Sequence, residues 1–426
     1  MNRLEKLIYD LVKNNPGLKS WVVRQYQRAF SLIPQSPIKS VCPVTTRKGY
    51  FFGFHDKSPF SPDNRMLLAH RNLIGNRTVS PGDECEIGFF TGDDWTNYTA
   101  VANTRAWDWQ LGSMLQWVGS DGRRLIFNDI VDGRIGSRIF STAGVEQGSL
   151  PFPIIHVSPD ATLASSYCFR RVAKAMDGYG VRFANDADVP IDQFDCEDPS
   201  DFRIFSLRDK RLIHSCSIDE IRTCDPHPSM HGAFHFFHHS LFNPSGSRLF
   251  FFHRWVDNQG RLWSRMFTCN ADGGDRFLLP THEMVSHVGW LNDSTLLAYA
   301  RTRKGGDGYY LFKDKQTEFT HIGRGHLNSD GHPMMSPSGD VFVTDTYPDR
   351  SRNQFLYLVE LQSGKATFVL RAHLGLALSE DQRVDLHPRF DRTGDVICVD
   401  SGHVGTRALC TVRIGGLTQN SRRAVT

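Results

Sequence analysis

The chain repeats one short pattern of apolar and polar positions. An apolar run leads into a polar turn of the Ser-Pro-Asp-Gly type, and a second apolar run follows the turn. Pro presets φ in such turns, Asp or Ser bonds to the local backbone, and Gly accepts a positive φ. The pattern therefore predicts a β-hairpin at each copy. Seven copies occupy residues 61–70, 119–128, 158–167, 243–252, 291–299, 336–345 and 391–400.

Seven hairpins at spacings of tens of residues are typical of a β-propeller. The runs after the turns are rich in Leu, Ile, Val and Phe, as expected for buried strands. A β-sandwich has similar hairpins, but seven turns in one shared register favour the propeller. The sequence predicts an all-β, seven-bladed β-propeller over residues 40–414, with a polar tail at 415–426. Residues 40–46 are expected to pair with the run 406–413 and close the ring.

Residues 1–36 differ from the rest of the chain. Their apolar residues recur at helical spacing, and Asn15-Pro16-Gly17 divides them into two predicted helices. Charged residues interrupt every apolar run, so we expect neither a signal peptide nor a transmembrane segment. This helical extension either packs on the propeller or contacts a membrane surface or a partner.

Counting from the turns places histidines at one shared position in four consecutive blades. In a propeller this position begins the innermost strand, at one mouth of the central channel, so the four imidazoles should converge. A single histidine there is usually structural, but four aligned histidines favour a functional site. The seven aligned residues, five before the second turn residue, are Lys57, Leu115, Ile154, His239, His287, His332 and His387.

The second strand of each blade runs back to the same mouth and ends in polar residues. This face therefore combines His, Asp and Arg, whereas the turns lie on the opposite face. We take His239, His287, His332 and His387 as candidate metal ligands. The candidate catalytic residues near them are His253, Arg254, Arg301, Asp345, Tyr347 and Asp400.

Aromatic and basic residues near this mouth are candidates for substrate binding. Flat rings stack on sugars, which favours Trp107, Trp109 and Trp255, although packing is the alternative for each ring. A long acidic insertion at 177–201 should emerge on the histidine face, where such loops build sites or lids. The remaining substrate-binding candidates are His55, Lys57, His70, Arg71, Asn128 and Arg170.

Composition narrows the function classes. The net charge is only +3, and no Lys/Arg stripe is present, so nucleic-acid binding is not expected. The Gly-rich segment 301–310 lacks the strand–loop–helix context and the ending of a phosphate loop, so no nucleotide cofactor is expected. The nine cysteines are odd in number and scattered, which predicts reduced thiols in a cytoplasmic protein.

Several neutral imidazoles with one or two carboxylates can hold a divalent transition metal such as Mn²⁺, Fe²⁺, Ni²⁺ or Zn²⁺. A neighbouring Arg can pair with a substrate carboxylate. A His, Tyr or Lys can then remove the proton α to that carboxylate while metal and Arg stabilise the enolate. This chemistry is β-elimination on an oligo- or polysaccharide that contains uronic acid.

Two resemblances support this interpretation. The repeated turn pattern resembles TolB-like propeller repeats, and the histidine set, with SHVGW and DGHPMMSPSG, is similar to the oligogalacturonate lyase family. The resemblance covers roughly residues 48–412. It implies a seven-bladed propeller with a metal held by His and Gln, and makes His287 and His332 counterparts of metal ligands. That family's closely spaced His pair is not evident around His332, where position 334 is Met and position 329 is Ser.

Two other functions stay open from the sequence. One is a non-catalytic propeller that binds a glycan, a nucleotide-sugar intermediate or a protein partner in surface-polysaccharide assembly. The other is glycoside hydrolysis by paired carboxylates such as Asp345 and Asp400, whose separation would distinguish retaining from inverting chemistry.

Overall fold

The computed structural model describes residues 22, 25–29, 36–196, 199–327 and 329–417. Most of the predicted helical extension at 1–36 lies outside the described residues, although residues 25–29 are helical. The predicted tail is described only up to residue 417. Within the described ranges, no helix is long and apolar enough to cross a membrane.

Seven antiparallel sheets form the blades of a propeller, which confirms the predicted fold. From the channel outward, the first three blades are β3–β6 (Tyr50–Phe51, Leu67–Arg71, Cys85–Thr91, Asn97–Thr104), β7–β10 (Gln116–Trp117, Arg124–Val131, Arg134–Ser141, Glu146–Leu150) and β11–β14 (His156–Val157, Leu163–Ser166, Phe202–Ser206, Leu212–Cys216). The fourth and fifth are β15–β18 (Phe234–Phe242, Arg248–Val256, Leu262–Asn270, Phe277–Leu278) and β19–β22 (Val285–Asn292, Thr295–Thr302, Gly306–Lys313, Phe319–Ile322). The sixth and seventh contain β23–β26 (Met334–Met335, Val341–Asp345, Asn353–Glu360, Ala366–His373) and β27–β29 (Arg389–Phe390, Val396–Ser401, Ala408–Arg413).

The N-terminal strands complete the last two blades. Strand β2 (Val44–Lys48) pairs with β29, as the sequence predicted, and so closes the ring. Strand β1 (Ile38–Ser40) adds a fifth strand to the sixth blade by pairing with β26, which the sequence did not predict. The outer edges of β26 and β29 are thereby paired.

The predicted turns join the first two strands of each blade, with one correction of register. In the third blade the Ser158 N–H bonds to the Leu163 carbonyl, but in the second blade Val118 bonds to Arg124, one residue further on. The second turn is thus one residue longer, and Met114 rather than Leu115 occupies the aligned position. Met114 shares its positive φ with His239 and His387.

The core lies between the blades, where aromatic side chains from neighbouring sheets stack. Phe152 and Phe205 stack with ring centroids 3.7 Å apart, and Phe202 and Phe251 at 4.4 Å. The inner strands line a central channel of about 540 Å³ that opens on the turn face. Phe54 lies at its opposite end, where it stacks on His239.

The segment between β12 and β13 is the predicted insertion. It begins with helix α1 (Phe169–Ala175) and contains 3₁₀ turns at Ala184–Asp186 and Ile191–Gln193. Because β12 ends on the side away from the turns, the insertion emerges on the histidine face, as expected. Glu197 and Asp198 lie outside the described residues. The other helical elements are α2 (Ile218–Thr223) and 3₁₀ turns at Asp93–Trp95, Pro228–Met230 and Glu380–Gln382.

Candidate functional site

Three of the four aligned histidines meet at the channel mouth. The rings of His287 and His332 have centroids 4.0 Å apart, and those of His332 and His387 lie 4.3 Å apart. His55 joins them from the first blade, at 5.3 Å from His332. His239 faces the same centre, but its ring stacks on Phe54 rather than on the other three. Inner strands that converge on the channel therefore create an imidazole cluster.

The backbone of this cluster departs from ordinary strand geometry. His239 and His387 have φ values of 47° and 44°, a region that residues other than Gly rarely adopt. His239 reaches it through a bulge, since the pairing of β15 with β16 shifts between His238 and Ser240. Strained backbone of this kind concentrates at functional sites.

Asp345 supports the cluster from behind. Its carboxylate lies 2.8 Å from Nδ1 of His332 and accepts the backbone N–H groups of His332 and His387 at 2.7 and 3.1 Å. Burial alone would lower the pKa of His332, but the charge and hydrogen bond of Asp345, together with the charges of Asp385 and Asp330, raise it above its ordinary value. The contact also directs Nε2 of His332 toward the centre of the cluster.

Gly331 makes the approach of His332 to Asp345 possible. A Cβ at Gly331 would lie 1.9 Å from the Asp345 carbonyl oxygen, so only glycine fits. On the other side of this glycine, Asp330 accepts from Nδ1 of His287 at 3.1 Å. The sequence Asp330-Gly331-His332 thus ties together the histidines of two blades.

Asp385 completes a set of metal-ligand type. One ligand atom from each of His332, Asp385 and His387 lies within 4.8 Å of the other two. All three side chains are about 1% exposed. Arg383 holds Asp385 through bonds of 2.7 and 2.8 Å, and its guanidinium keeps the Asp385 pKa below the ordinary value despite burial.

The donor atoms of this set fit a divalent transition metal. Nε2 of His332 and Nε2 of His387 are buried and have no hydrogen-bond partner among the described residues. The same is true of both ring nitrogens of His55. Burial lowers the pKa of His387 well below its ordinary value, so its imidazole is neutral, as a ligand must be. Two imidazoles and one carboxylate are common ligands of Mn²⁺, Fe²⁺ and Zn²⁺.

Arg254 brings a positive charge beside the cluster. Its side chain is 5% exposed and forms no ion pair with a described carboxylate. Its Nη atoms contact Met176 Sδ and the Ser286 carbonyl at 3.4 Å each, and Nε has no hydrogen-bond partner among the described residues. A buried guanidinium without a counter-ion is costly, so this geometry favours an anionic ligand.

His238 and two tyrosines surround the same space. The His238 ring lies 5.6 Å from that of Tyr179 and 5.9 Å from that of Tyr167. Both ring nitrogens of His238 lack a hydrogen-bond partner among the described residues. The Tyr167 hydroxyl is buried and equally unpartnered. Burial, followed by the charge of Arg254, lowers the pKa of His238 well below its ordinary value. The imidazole is therefore a neutral acceptor.

The insertion covers Arg254 and His238. Met176 follows α1 and contacts Arg254, and Tyr179 stands between Gly178 and Gly180, both of positive φ. The Gly180 N–H donates to Asp108 at 2.7 Å, which fixes this turn to the chain between the first two blades. Burial raises the pKa of Asp108 to about 7.

The structure brings part of the predicted site together. Tyr347 lies 5.5 Å from His332, and Arg383 stacks over its ring. The residues gathered at the mouth are His55, His239, His287, His332, His387, Arg254, Asp345 and Tyr347. Lys57 lies instead in the central channel, paired with Asp56 at 2.5 Å.

The three tryptophans need a correction, because none offers a face to a sugar at this mouth. Trp107 and Trp109 are each 2% exposed and pack edge-to-face at 4.9 Å. Trp255 is also 2% exposed and lies against Trp263. Their indole N–H groups donate to protein acceptors within 2.9 Å. All three are packing residues in this structure.

Other predicted residues have structural partners away from the cluster. Asp400 accepts from Arg389 and from the N–H groups of Phe52 and Gly53, so the expected pairing of Asp345 with Asp400 as hydrolase carboxylates finds no support. The remaining contacts are His70 with Ser113, Arg71 with Glu86, Asn128 with the Ile154 backbone, Arg170 with Asp186, His253 with His235 and Arg265, and Arg301 with Asp307.

Sequence reasoning missed several members of the site. Asp330, Asp385, Arg383 and His238 were not singled out, nor were Tyr167 and Tyr179. One signal was present: Asp330-Gly-His332 and Asp385-Leu-His387 repeat an Asp-x-His spacing just before the inner strands of the last two blades.

Comparison with known proteins now adds to the geometry. No family model and no curated protein matches the chain. An oligogalacturonate lyase solved in complex with manganese is 17% identical, with a TM-score of 0.58, over 88% of this chain and 93% of that chain. Oligogalacturonate lyase from Vibrio parahaemolyticus is 13% identical, with a TM-score of 0.56, over 89% of this chain and 98% of that chain.

The chain has the fold of an oligogalacturonate lyase. At these identities the likeness concerns the fold, and it confirms the propeller that the sequence resemblance implied. TolB from Acinetobacter baumannii matches 72% of this chain and 63% of its own, at 10% identity and a TM-score of 0.40.

Proposed function

We propose that the protein is a metal-dependent lyase that cleaves uronic-acid-containing oligosaccharides by β-elimination. The observation that carries this proposal is that the buried, unpartnered Nε2 atoms of His332 and His387 lie near a buried Arg254, and neither these atoms nor Arg254 has a partner or counter-ion of its own among the described residues. The two imidazoles suit a metal, and the guanidinium suits a substrate carboxylate. An oligogalacturonate lyase of the same fold was solved in complex with manganese, which supports the metal part of this proposal.

His332, Asp385 and His387 would hold the metal, with His287 and His55 beside them. When bound, the metal would supply Lewis-acid stabilisation of negative charge that develops on the substrate carboxylate. Arg383 and Asp345 orient Asp385 and His332 and keep their ligand atoms in place.

Arg254 would bind the uronate carboxylate, and His238 would accept the proton from the adjacent carbon. The pKa of His238 is low partly because of the Arg254 charge. A bound carboxylate neutralises that charge, which raises the basicity of His238 only when substrate is present. As the proton moves to His238, a C=C bond forms next to the carboxylate and the C–O bond to the leaving sugar breaks. The leaving oxygen takes up a proton from water and departs as a hydroxyl group.

Ultraviolet absorbance tests the reaction, because the conjugated product absorbs and the substrate does not. Manganese-loaded protein should release unsaturated product from uronate oligomers, and Arg254→Gln should abolish the signal. A matched control is Arg208→Gln, an exposed arginine in a turn of the third blade. Loaded wild type that binds oligomers without forming product would overturn the lyase proposal.

A non-catalytic glycan-binding role is the second candidate, because the cluster is closely covered. His332, Asp385 and His387 are about 1% exposed, which also suits a structural metal. The absorbance experiment separates the two functions, since binding alone yields no unsaturated product. We also propose a cytoplasmic location, which the odd and scattered cysteines support.

A further inference from the structure

A second large cavity lies on the rim of the histidine face, between the fourth and fifth blades. It has a volume of about 730 Å³, within the usual range for small-ligand sites. Its walls include His227, Leu279, His282, Arg303, Lys304 and Phe319, and we call it the rim cavity.

The exposed cations of the rim cavity lack carboxylate partners. Arg303 and Lys304 lie in the β20–β21 hairpin, and neither forms an ion pair within the described part of the chain. Arg303 makes one 3.4 Å contact to Nδ1 of His282. Two carboxylates lie in the same wall: Glu283 is already shared by His282 and Arg301, and the charge of the exposed Asp225 acts on Arg265. Two cationic side chains thus remain available to an acidic ligand.

Apolar surface lies beside these charges. Leu278, Leu279, Phe319 and Pro280 line the wall, and the buried Trp255 packs behind it. The C–H faces of sugar rings pack against such surfaces, while Arg and Lys bind carboxylates. This mixture fits an acidic oligosaccharide better than a neutral sugar or an apolar molecule.

One strand connects the rim cavity with the site of Arg254. Arg254 and Trp255 are neighbours in β16, and successive side chains of a strand point to opposite faces. Arg254 therefore faces the imidazole cluster while Trp255 packs behind the wall of the rim cavity. The hairpin with Arg303 also follows the end of β20, which pairs with the start of β19 near His287. Both sites lie on the same side of the propeller.

We propose that the rim cavity binds a distal acidic sugar of the same oligosaccharide whose reacting unit lies at Arg254. The proposal takes its substrate class from the proposed function but concerns binding, not cleavage. It makes the protein selective for oligomers long enough to occupy both positions, with Arg303 and Lys304 as the charge-recognising residues.

Calorimetric titration with uronate oligomers of increasing length tests this on the manganese-loaded full chain. The Arg303→Gln/Lys304→Gln variant should bind long oligomers about tenfold more weakly at low salt but bind the disaccharide like wild type. High salt should remove the difference, because the charges are exposed. The matched control is Arg208→Gln/Lys313→Gln, two exposed cations outside the rim cavity, which should bind like wild type.

Two outcomes would overturn the rim-cavity proposal. One is equal affinity of the double variant and wild type for every length, and the other is no binding of long oligomers by wild type. Failure of the lyase proposal looks different: wild type would bind long oligomers through Arg303 and Lys304 but release no unsaturated product.

Discussion

Asp345 fixes the orientation of His332: a carboxylate oxygen lies 2.8 Å from Nδ1 and also accepts the His332 backbone N–H at 2.7 Å. Nδ1 is therefore the protonated nitrogen, and Nε2 presents its lone pair to the space shared with Asp385 and His387. A carboxylate behind a histidine in this way sets the tautomer of a metal ligand and increases its basicity.

Replacing Asp345 by Asn should weaken manganese binding by about 10- to 100-fold, because the amide no longer holds the Nδ1 proton as a carboxylate does. Calorimetric titration with Mn²⁺ measures the effect. Asp132→Asn, on the exposed hairpin between β8 and β9, is the control and should bind like wild type. Unchanged affinity of Asp345→Asn would show that His332 is not a ligand.

Arg254 and Arg389 are both buried, but among the described residues only Arg389 has a counter-ion, Asp400, at 3.0 Å. Arg389→Met should lower the free energy of unfolding by about 3–5 kcal/mol, since it leaves Asp400 buried and unpaired. Arg254→Met should change it by less than about 1 kcal/mol or raise it, while abolishing oligouronate binding. Denaturant unfolding compares the two, and equal losses of stability would contradict a ligand-binding role for Arg254.

Acid should destabilise the fold through buried histidines away from the cluster. Burial lowers the pKa of His70 to about 3 and that of His235 to about 4. The unfolded chain protonates these groups below about pH 6.5 and the folded chain does not, so stability falls as pH drops from about 6.5 to 4. In this range each histidine lowers the free energy of unfolding by about 1.4 kcal/mol for each pH unit of acidification. Unfolding at several pH values should show a shallower slope in His70→Gln, and parallel slopes would contradict this account.

Gly180 should be essential to the cover formed by the insertion. Its φ is +75°, and a Cβ there would lie 2.3 Å from the Phe169 carbonyl oxygen. Gly180→Ala should displace Tyr179 from His238 and increase protease cleavage within 177–196. Gly144→Ala is the matched control, because its φ of +77° is similar but its Cβ would meet nothing within 4 Å. Equal cleavage of the two variants would rule out this role.

The fold and part of the site were predictable from the sequence because they depend on turn chemistry and register. Seven turns specify seven hairpins, and counting back from them brings His287, His332 and His387 to one mouth. His239 also occupies its counted position, but its ring stacks on Phe54 and does not join the other three histidines. Met114 replaces Leu115 because one turn is longer.

The rest depended on three-dimensional packing that no linear pattern encodes. Asp385 lies in irregular chain before β27, where neither strand nor helix periodicity applies. The burial of Trp107 and Trp109 arises from contacts between separate segments, for example with Phe51. That Arg254 has no counter-ion among the described residues can be recognised only once its neighbours in the fold are known.

The central claim is a metal held by His332, Asp385 and His387, and elemental analysis after manganese loading and desalting tests it most directly. Wild type should retain about one metal ion per chain, and His332→Ala/His387→Ala should retain none while remaining folded by circular dichroism. His156→Ala/His403→Ala, two histidines outside the cluster, should retain the metal like wild type. A wild-type protein that holds no metal, or a cluster variant that holds as much as wild type, would contradict the account.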